Sequence, residues 1–382
     1  MFCKNAQDTQ KKNKPKKNRG ISMTTAILIA IALAIAVYMH TSPQFGSTEA
    51  LMNIDRIENA ENKRRGRFYN QEPMRYKSSI GTIWKFFTAS GRSPKNRLPI
   101  VKLADDYFDH APEKARITWF GHSAMMIEID QKRILLDPML MKRMQPAPWL
   151  MGKRYSEILP MSIDKLPTVD AVIISHDHYD HLDYGSIMAL KERVGHFYVP
   201  LGVGSHLVSW GISKDKITEL NWWEDATLDT LTFTLTPSRH FSGRGITDGN
   251  KKLWGSWVIR GESEKLFFSG DSGYSRDFKK IGKKYGPFDL TMVEAGQYHE
   301  NWPNVHMTPA EAIQAHIDLK GKMMMPIHWC AFTLSLHGWK DPAIGTHKIA
   351  KERGVTLASP MIGEAVIIGD TPPQKTWWES LE

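Results

Sequence analysis

The sequence predicts an α/β fold in which two mixed β-sheets pack face to face beneath covering helices. Runs of consecutive strands early in the chain argue against a simple doubly wound sheet, while helices are interspersed later. The chemistry-bearing residues fall at or just after the ends of apolar strands, so strands lying side by side would gather them along one edge. The chain shows no internal repeat.

At 382 residues the chain can hold one large domain or two ordinary ones. Its formal charge is +9, but residues 1–20 hold seven Lys or Arg and one Asp, which leaves +3 for the other 362 residues. Basic charge confined to a tail gives no nucleic-acid-binding surface, so no nucleic acid is expected as a partner. Two cysteines, Cys3 and Cys330, exclude a disulfide framework. Cys330 follows the candidate ligand His328 by two residues, yet a small buried packing role suits it better than a thiolate ligand.

Five segments follow from composition. Residues 1–20 are a basic tail. Residues 21–39, with an uninterrupted apolar core from Ala26 to Val37, read as a transmembrane anchor or a signal peptide. Tyr38-Met39-His40 is a poor cleavage context, which favours the uncleaved anchor. The Lys-rich end then stays in the cytoplasm and the remainder lies outside, periplasmic or extracellular, or secreted if the segment is cleaved. Residues 40–65 read as a linker with a helical piece around Glu58–Arg65. Residues 66–116 form an extension on or near the core. Its aromatic patch, Ile83-Trp84-Lys85-Phe86-Phe87, suits either a membrane interface or packing against the main domain.

From Ile117 to the C-terminus the chain reads as one folded domain. Strands are expected at Ile117–Phe120, Ala124–Ile129, Arg133–Leu136 and Ala171–Ile174, then a helix from Tyr184 to Arg193. Further strands read at Phe197–Val199, Leu231–Leu235, Trp254–Ile259, Lys265–Phe268, Leu290–Val293, Met323–Ile327 and Glu364–Ile368. Helices are expected over Thr308–Lys320 and Ala343–Arg353. Thr308, Pro309 and Glu311 mark the first of these as a capped start.

Six consecutive residues, His176-Asp177-His178-Tyr179-Asp180-His181, place three imidazoles and two carboxylates just after an apolar strand. Such a density of N and O donors is what divalent zinc prefers. His240, Asp271 and His328 stand at later strand ends. His176, His178, Asp180, His181, His240, Asp271 and His328 are too many for one tetrahedral ion but suit two, with one carboxylate bridging.

The pattern His-x-His-x-Asp-His followed by His240, Asp271 and His328 resembles the metallo-β-lactamase superfamily, whose fold is an αββα sandwich. More narrowly, Ser175–Leu190, Asn221-Trp222-Trp223-Glu224, Trp254-Gly255-Ser256-Trp257, Gly270–Tyr274 and Gly282–Leu290 resemble the N-acylphosphatidylethanolamine-hydrolysing phospholipase D family. So does Gly66–Asn70, and the likeness runs from about residue 66 to about residue 355. It implies one zinc ion on His176, His178 and His240, a second on Asp180, His181 and His328, and Asp271 bridging. It also implies a hydrolase domain over residues 117–382, a membrane phospholipid substrate and a homodimer.

By the same resemblance a hydroxide between the metals attacks phosphorus, releasing phosphatidic acid and an N-acylethanolamine. Asp180 and Asp271 steer it, His306 contacts the phosphate, and a metal-bound water or His306 protonates the leaving alcohol. His122 and Asp137 fall where they would orient ligands, and Tyr179 also matches. The N-terminal anchor, Val305 and the segment Phe241–Asn250 depart from the family pattern. The Met-rich segment Met139–Met151 suits an acyl-chain groove or core filling. The alternatives to a lipid phosphodiesterase are the same fold acting on a soluble phosphodiester or lactone, and a non-catalytic, membrane-tethered metal-binding protein.

Overall fold

The computed structural model describes residues 22–77, 80–149 and 152–382. Cys3, the basic tail and Met151 lie outside them. The chain divides into two units at Ser42 and Pro43. In the first, α1 spans Met23–Thr41, with Ser22 accepting a hydrogen bond from the Thr25 N–H as its N-cap. Its 19 residues are apolar enough to cross a membrane by length and composition, at about 28 Å for a rise of ~1.5 Å per residue.

The second unit opens with α2 (Ile54–Glu58) and a small hairpin of β1 (Lys63–Arg64) and β2 (Arg67–Phe68). Here the expectation of a helix around Glu58–Arg65 fails. Arg65 and Gly66 both take positive φ, the two-residue turn that reverses an antiparallel ribbon. Next, α3 covers Ile80–Thr88. Thr82 meets the Asn301 amide and Arg92 donates to the Ser335 carbonyl, so this region is held on the main body, while Trp84 remains 70% exposed.

The sandwich begins with β3 (Arg116–Trp119), β4 (Met125–Ile129), β5 (Lys132–Leu136) and β6 (Val169–Ile173). Then follow α4 (Tyr184–Leu190), β7 (Val194–Pro200), α5 (Gly204–Ser209), β8 (Ile217–Leu220), β9 (Asp225–Leu228) and β10 (Leu231–Thr236). The chain continues through β11 (Ser256–Arg260), β12 (Lys265–Phe268), α6 (Asp277–Lys284) and β13 (Phe288–Glu294). It finishes with α7 (Pro309–Leu319), β14 (Gly321–Ile327), α8 (Asp341–Arg353) and β15 (Ala365–Ile367).

Seven strands form one sheet in the order β15-β3-β4-β5-β6-β7-β8, and six form the other in the order β14-β13-β12-β11-β10-β9. Both are mixed: β5 through β8 run parallel beside an antiparallel β15-β3-β4-β5 half, and β12, β13 and β14 run parallel beside antiparallel β9 through β12.

Alternation along the strands builds three apolar layers. Ile127, Leu136 and Ile173 of the first sheet share a central core with Phe233, Trp257 and Phe268 of the second. Their neighbours Met126, Leu135 and Val172 turn outward onto Ile187 of α4 and Leu207 of α5. Val258 and Phe267 turn the other way, onto Ile281 of α6 and Ile313 of α7. The result is the helix, sheet, sheet, helix sandwich.

Several pieces escaped the sequence reading: the short elements α3, α5, β8, β9 and α6. The Met-rich segment resolves toward packing, since Met139 and Met144 are buried against Ala331 and Phe332. Cys330 is also buried, and burial pushes its thiol pKa well up.

The α7 start has the expected reciprocal cap, with the Glu311 carboxylate accepting from the Thr308 N–H and Thr308 Oγ1 accepting from the Glu311 N–H. Thr308→Ala is expected to lower unfolding free energy by about 1 kcal/mol, read as a shifted urea midpoint at unchanged slope.

Candidate metal centre

Four strand ends build one cleft. Beyond β6 the chain runs through His176, His178, Asp180 and His181 into α4, whose N-cap is Asp183, accepting from Ser186 N at 2.7 Å. Beyond β10 it reaches His240, beyond β12 Asp271, and immediately beyond β14 His328. The sheets are joined beside this edge: Gly255 N donates to Ser175 O at 3.0 Å, and the Trp257 indole N–H donates to Ile174 O at 3.0 Å.

The donors fall into two groups. In one, His176 Nε2 lies 2.8 Å from His178 Nδ1, and His240 Nε2 lies 3.3 Å from that same nitrogen. Asp271 Oδ2 stands 3.7 Å from His176 Nε2 and 3.6 Å from His240 Nε2. In the other, His181 Nε2 is 3.4 Å from Asp180 Oδ2 and 3.1 Å from Asp271 Oδ1, with His328 Nδ1 3.0 Å from that oxygen. Asp271 therefore turns one oxygen to each group.

Charge and hydrogen bonding fit cations here. Asp271 Oδ1, His181 Nε2 and His328 Nε2 are buried with no hydrogen-bond partner, a costly condition for polar atoms unless something else binds them. Burial holds His176, His240 and His328 well below the ordinary histidine pKa, so they present the neutral imidazoles that ligate metals. Burial raises the Asp271 pKa, with His181 pulling against it. Burial also opposes charging of His181, but Asp271, Asp180 and Asp137 outweigh it and raise its pKa. Metal-free, the cluster needs a proton to offset its carboxylates; a divalent ion does the same work.

A second layer of hydrogen bonds fixes these side chains. Asp137 accepts His181 Nδ1–H at 2.6 Å, Ser175 Oγ–H at 2.6 Å and Ser175 N–H at 2.7 Å. Ser175 Oγ in turn accepts His176 Nδ1–H at 2.9 Å. His122 Nε2–H donates to Asp180 Oδ2 at 2.8 Å, and Ser123 Oγ lies 3.2 Å from His328 Nδ1. His240 Nδ1–H reaches the Val305 carbonyl at 3.2 Å. The backbone of Val305, not its side chain, does this orienting.

The loop itself is braced. Asp177 points away from the donors and accepts from His206 Nε2–H at 3.2 Å, while His206 Nδ1 accepts from Ser47 N at 3.0 Å. The buried Arg244 donates to Asp177 O at 2.6 Å, Leu182 O at 2.7 Å and Gln44 O at 2.6 Å. Tyr179 serves this brace, with its hydroxyl on the Arg244 carbonyl and its ring 4.1 Å from the guanidinium. His306 lies over the cleft, stacked on His328 at 5.0 Å and 5.4 Å from His240.

All seven predicted ligands thus converge, with His122 and Asp137 behind them and His306 above. Sequence reasoning missed Ser175, Arg244, His206 and Glu294. Glu294 carried the same signal as the ligands, standing directly after the apolar run Leu290–Val293.

Residues 132–329 match the Beta-lactamase superfamily domain. The chain belongs to this superfamily of metal-dependent hydrolases and, within it, to the family of N-acylphosphatidylethanolamine-hydrolysing phospholipase D. A phospholipase D of that description from Caenorhabditis elegans is 32% identical over 62% of this chain and 69% of its own length. An uncharacterised protein of Mycobacterium tuberculosis is 38% identical over 89% of this chain and 93% of its own. Among solved structures, an isothiocyanate hydrolase from Delia radicum gut bacteria shares the fold at TM-score 0.53 and 19% identity, covering 66% of this chain and 98% of that one.

Asp137→Asn should weaken metal binding about 10- to 100-fold by removing the shared acceptor of His181 and Ser175. Competition with a chromophoric chelator reads this loss, and unchanged affinity would show that Asp137 orients nothing.

Proposed function

We propose that the protein is a membrane-anchored dinuclear zinc phosphodiesterase that hydrolyses N-acylphosphatidylethanolamine-type lipids to phosphatidic acid and N-acylethanolamine. The observation that carries this reading is the single buried carboxylate, Asp271, shared between two groups of histidine-rich donors.

His176, His178 and His240 would hold one ion, Asp180, His181 and His328 the other, with Asp271 between them. Zinc suits a donor set dominated by imidazole with few carboxylates. Such ions, when bound, would supply Lewis acidity that makes a water more acidic and neutralises charge growing on the phosphoryl oxygens. The chain's own groups do the rest. Asp180, held by His122, and Asp271 orient the attacking oxygen. His306 sets its ring at the mouth of the cleft, where a phosphate ester must lie.

The substrate class is supported by the C. elegans relative, a phospholipase D by its description, and by α1. A helix long enough to span the bilayer keeps the hydrolase where lipid is concentrated. With the Lys-rich end in the cytoplasm, the hydrolase acts on the outer face of that membrane.

Product analysis by mass spectrometry tests the proposal. Zinc-loaded protein in micelles is expected to turn N-acylphosphatidylethanolamine into phosphatidic acid and N-acylethanolamine, faster than phosphatidylethanolamine or phosphatidylcholine. Asp271→Ala should lose metal and at least about 10³-fold in turnover. Zinc-replete protein that spares lipids but cleaves a soluble phosphodiester or lactone would move the substrate to that class. Zinc-replete protein with no turnover of any ester would make it a tethered metal-binding protein.

A further inference from the structure

Three residues past the end of α1 the chain is already bonded to the rim of the cleft. The Pro43 carbonyl accepts the Trp210 indole N–H at 2.7 Å. The Gln44 carbonyl accepts Arg244 Nη2–H at 2.6 Å and Nε–H at 3.0 Å. Gln44 Nε2 donates to the Pro146 carbonyl at 3.1 Å, and the Phe45 ring meets the Tyr179 ring edge-on at 6.2 Å. Gln44 thus ties together two loops that both leave the site. Phe241–Asn250 directly follows His240, and the loop through Pro146 follows Asp137.

Each of these loops holds a large apolar side chain out from the protein: Ile246 is 82% exposed and Trp149 71%. The Ile246 turn is not loose. The buried Asp248 carboxylate accepts the Arg244 N–H at 2.9 Å and the Gly245 N–H at 2.8 Å, and Arg67 donates to the Thr247 carbonyl at 3.2 Å. Single exposed apolar residues are common, but these two stand on loops joined through one residue. Lys142 and Arg143, both exposed, precede Trp149 in its loop. Tryptophan beside basic residues is the composition favoured at a membrane–water interface.

Chain length says which surface these loops meet. Where α1 crosses a bilayer, its 19 residues match a hydrocarbon core of about 30 Å, so Thr41 falls near the edge of that core. Thr41 and Gln44 are three residues apart, at most about 11 Å of extended chain. The headgroup layer is itself about 5–7 Å deep on each side. Gln44, and with it the two loops it holds, is therefore confined to the neighbourhood of the headgroups.

We propose that the Ile246 turn and the Trp149 loop are interfacial anchors that seat the rim of the cleft in the headgroup layer of the bilayer crossed by α1. The proposal rests on the reading of α1 as a membrane anchor. It makes the partner of this face the lipid surface itself. The cleft rim then stands at the depth of the lipid phosphates, and a lipid reaches the cleft without leaving its bilayer.

Spin labels at single positions test the docking and the anchor separately. The full-length Cys3→Ser chain, whose remaining Cys330 is buried, carries one nitroxide at a time after Ala32→Cys, Trp149→Cys, Ile246→Cys or Ser263→Cys. Each protein is reconstituted in vesicles of phosphatidylcholine and phosphatidylglycerol. Power saturation then compares relaxation by oxygen with relaxation by a water-soluble nickel chelate. Ala32, in the middle of α1, should report the bilayer core. Ser263, in the turn between β11 and β12 at the strand ends opposite the ligands, should report water. Labels at Trp149 and Ile246 should report about 5–10 Å of penetration at the headgroup–acyl boundary.

A water-like value at either Trp149 or Ile246, with Ala32 in the core, would overturn the docking and leave the anchor standing. A water-like value at Ala32 as well would remove the anchor and the docking with it. Shielding of Trp149 and Ile246 from both relaxants, with spin coupling between molecules, would place a second copy of the chain on this face and equally overturn the proposal.

Discussion

Asp271 sits with no solvent around it and with an imidazole close to each of its oxygens. An isolated charge in such a place costs several kcal/mol. The carboxylate can be kept only if positive charge comes to it. The surrounding histidines are held mostly neutral by the same burial, so they cannot all supply that charge. Cations on both sides of Asp271 would satisfy the carboxylate and the unpartnered imidazole nitrogens together, and on the proposed reading much of the molecule is the means of holding that arrangement.

The sandwich supplies rigidity. Each ligand stands within a few residues of a strand anchored on both faces, and the two sheets are linked by hydrogen bonds from Gly255 and Trp257 beside the cleft. Behind the ligands, Asp137, Ser175 and His122 decide which ring nitrogen faces inward. Farther out, Arg244 ties the ligand loop to Gln44, at the start of the second unit. Within the segment expected as a linker, Gln44, Ser47 and Asn53 hydrogen-bond to Arg244, His206 and Glu219. Arg244, the centre of this brace, lies within Phe241–Asn250.

The central strands and the seven His and Asp residues that converge at their ends were legible in the sequence because both leave local signals. Apolar runs end abruptly at His, Asp or Glu, and the Thr308–Glu311 cap is written in four residues. Elements with weak local signals were not legible. Asp225–Leu228 carries only two apolar residues, Ala226 and Leu228, and Gly204–Ser209 is too short for a helical period. The piece around Glu58–Arg65 reads as helical by charge composition, but Arg65 and Gly66 turn the chain into a hairpin. The brace was hidden for another reason: Arg244, Asp177 and His206 acquire their roles only from partners distant in the chain. Glu294 was readable by the strand-end rule and passed over, because a lone carboxylate after an apolar run has an ordinary structural reading.

The central claim is that one carboxylate serves two metal ions, and diffraction with anomalous data on either side of the zinc absorption edge tests it most directly. Crystals of the zinc-loaded protein should show two anomalous peaks, one among His176, His178 and His240 and one among Asp180, His181 and His328, with an oxygen of Asp271 on each. A single peak, or two peaks with Asp271 turned away from either, would contradict the account.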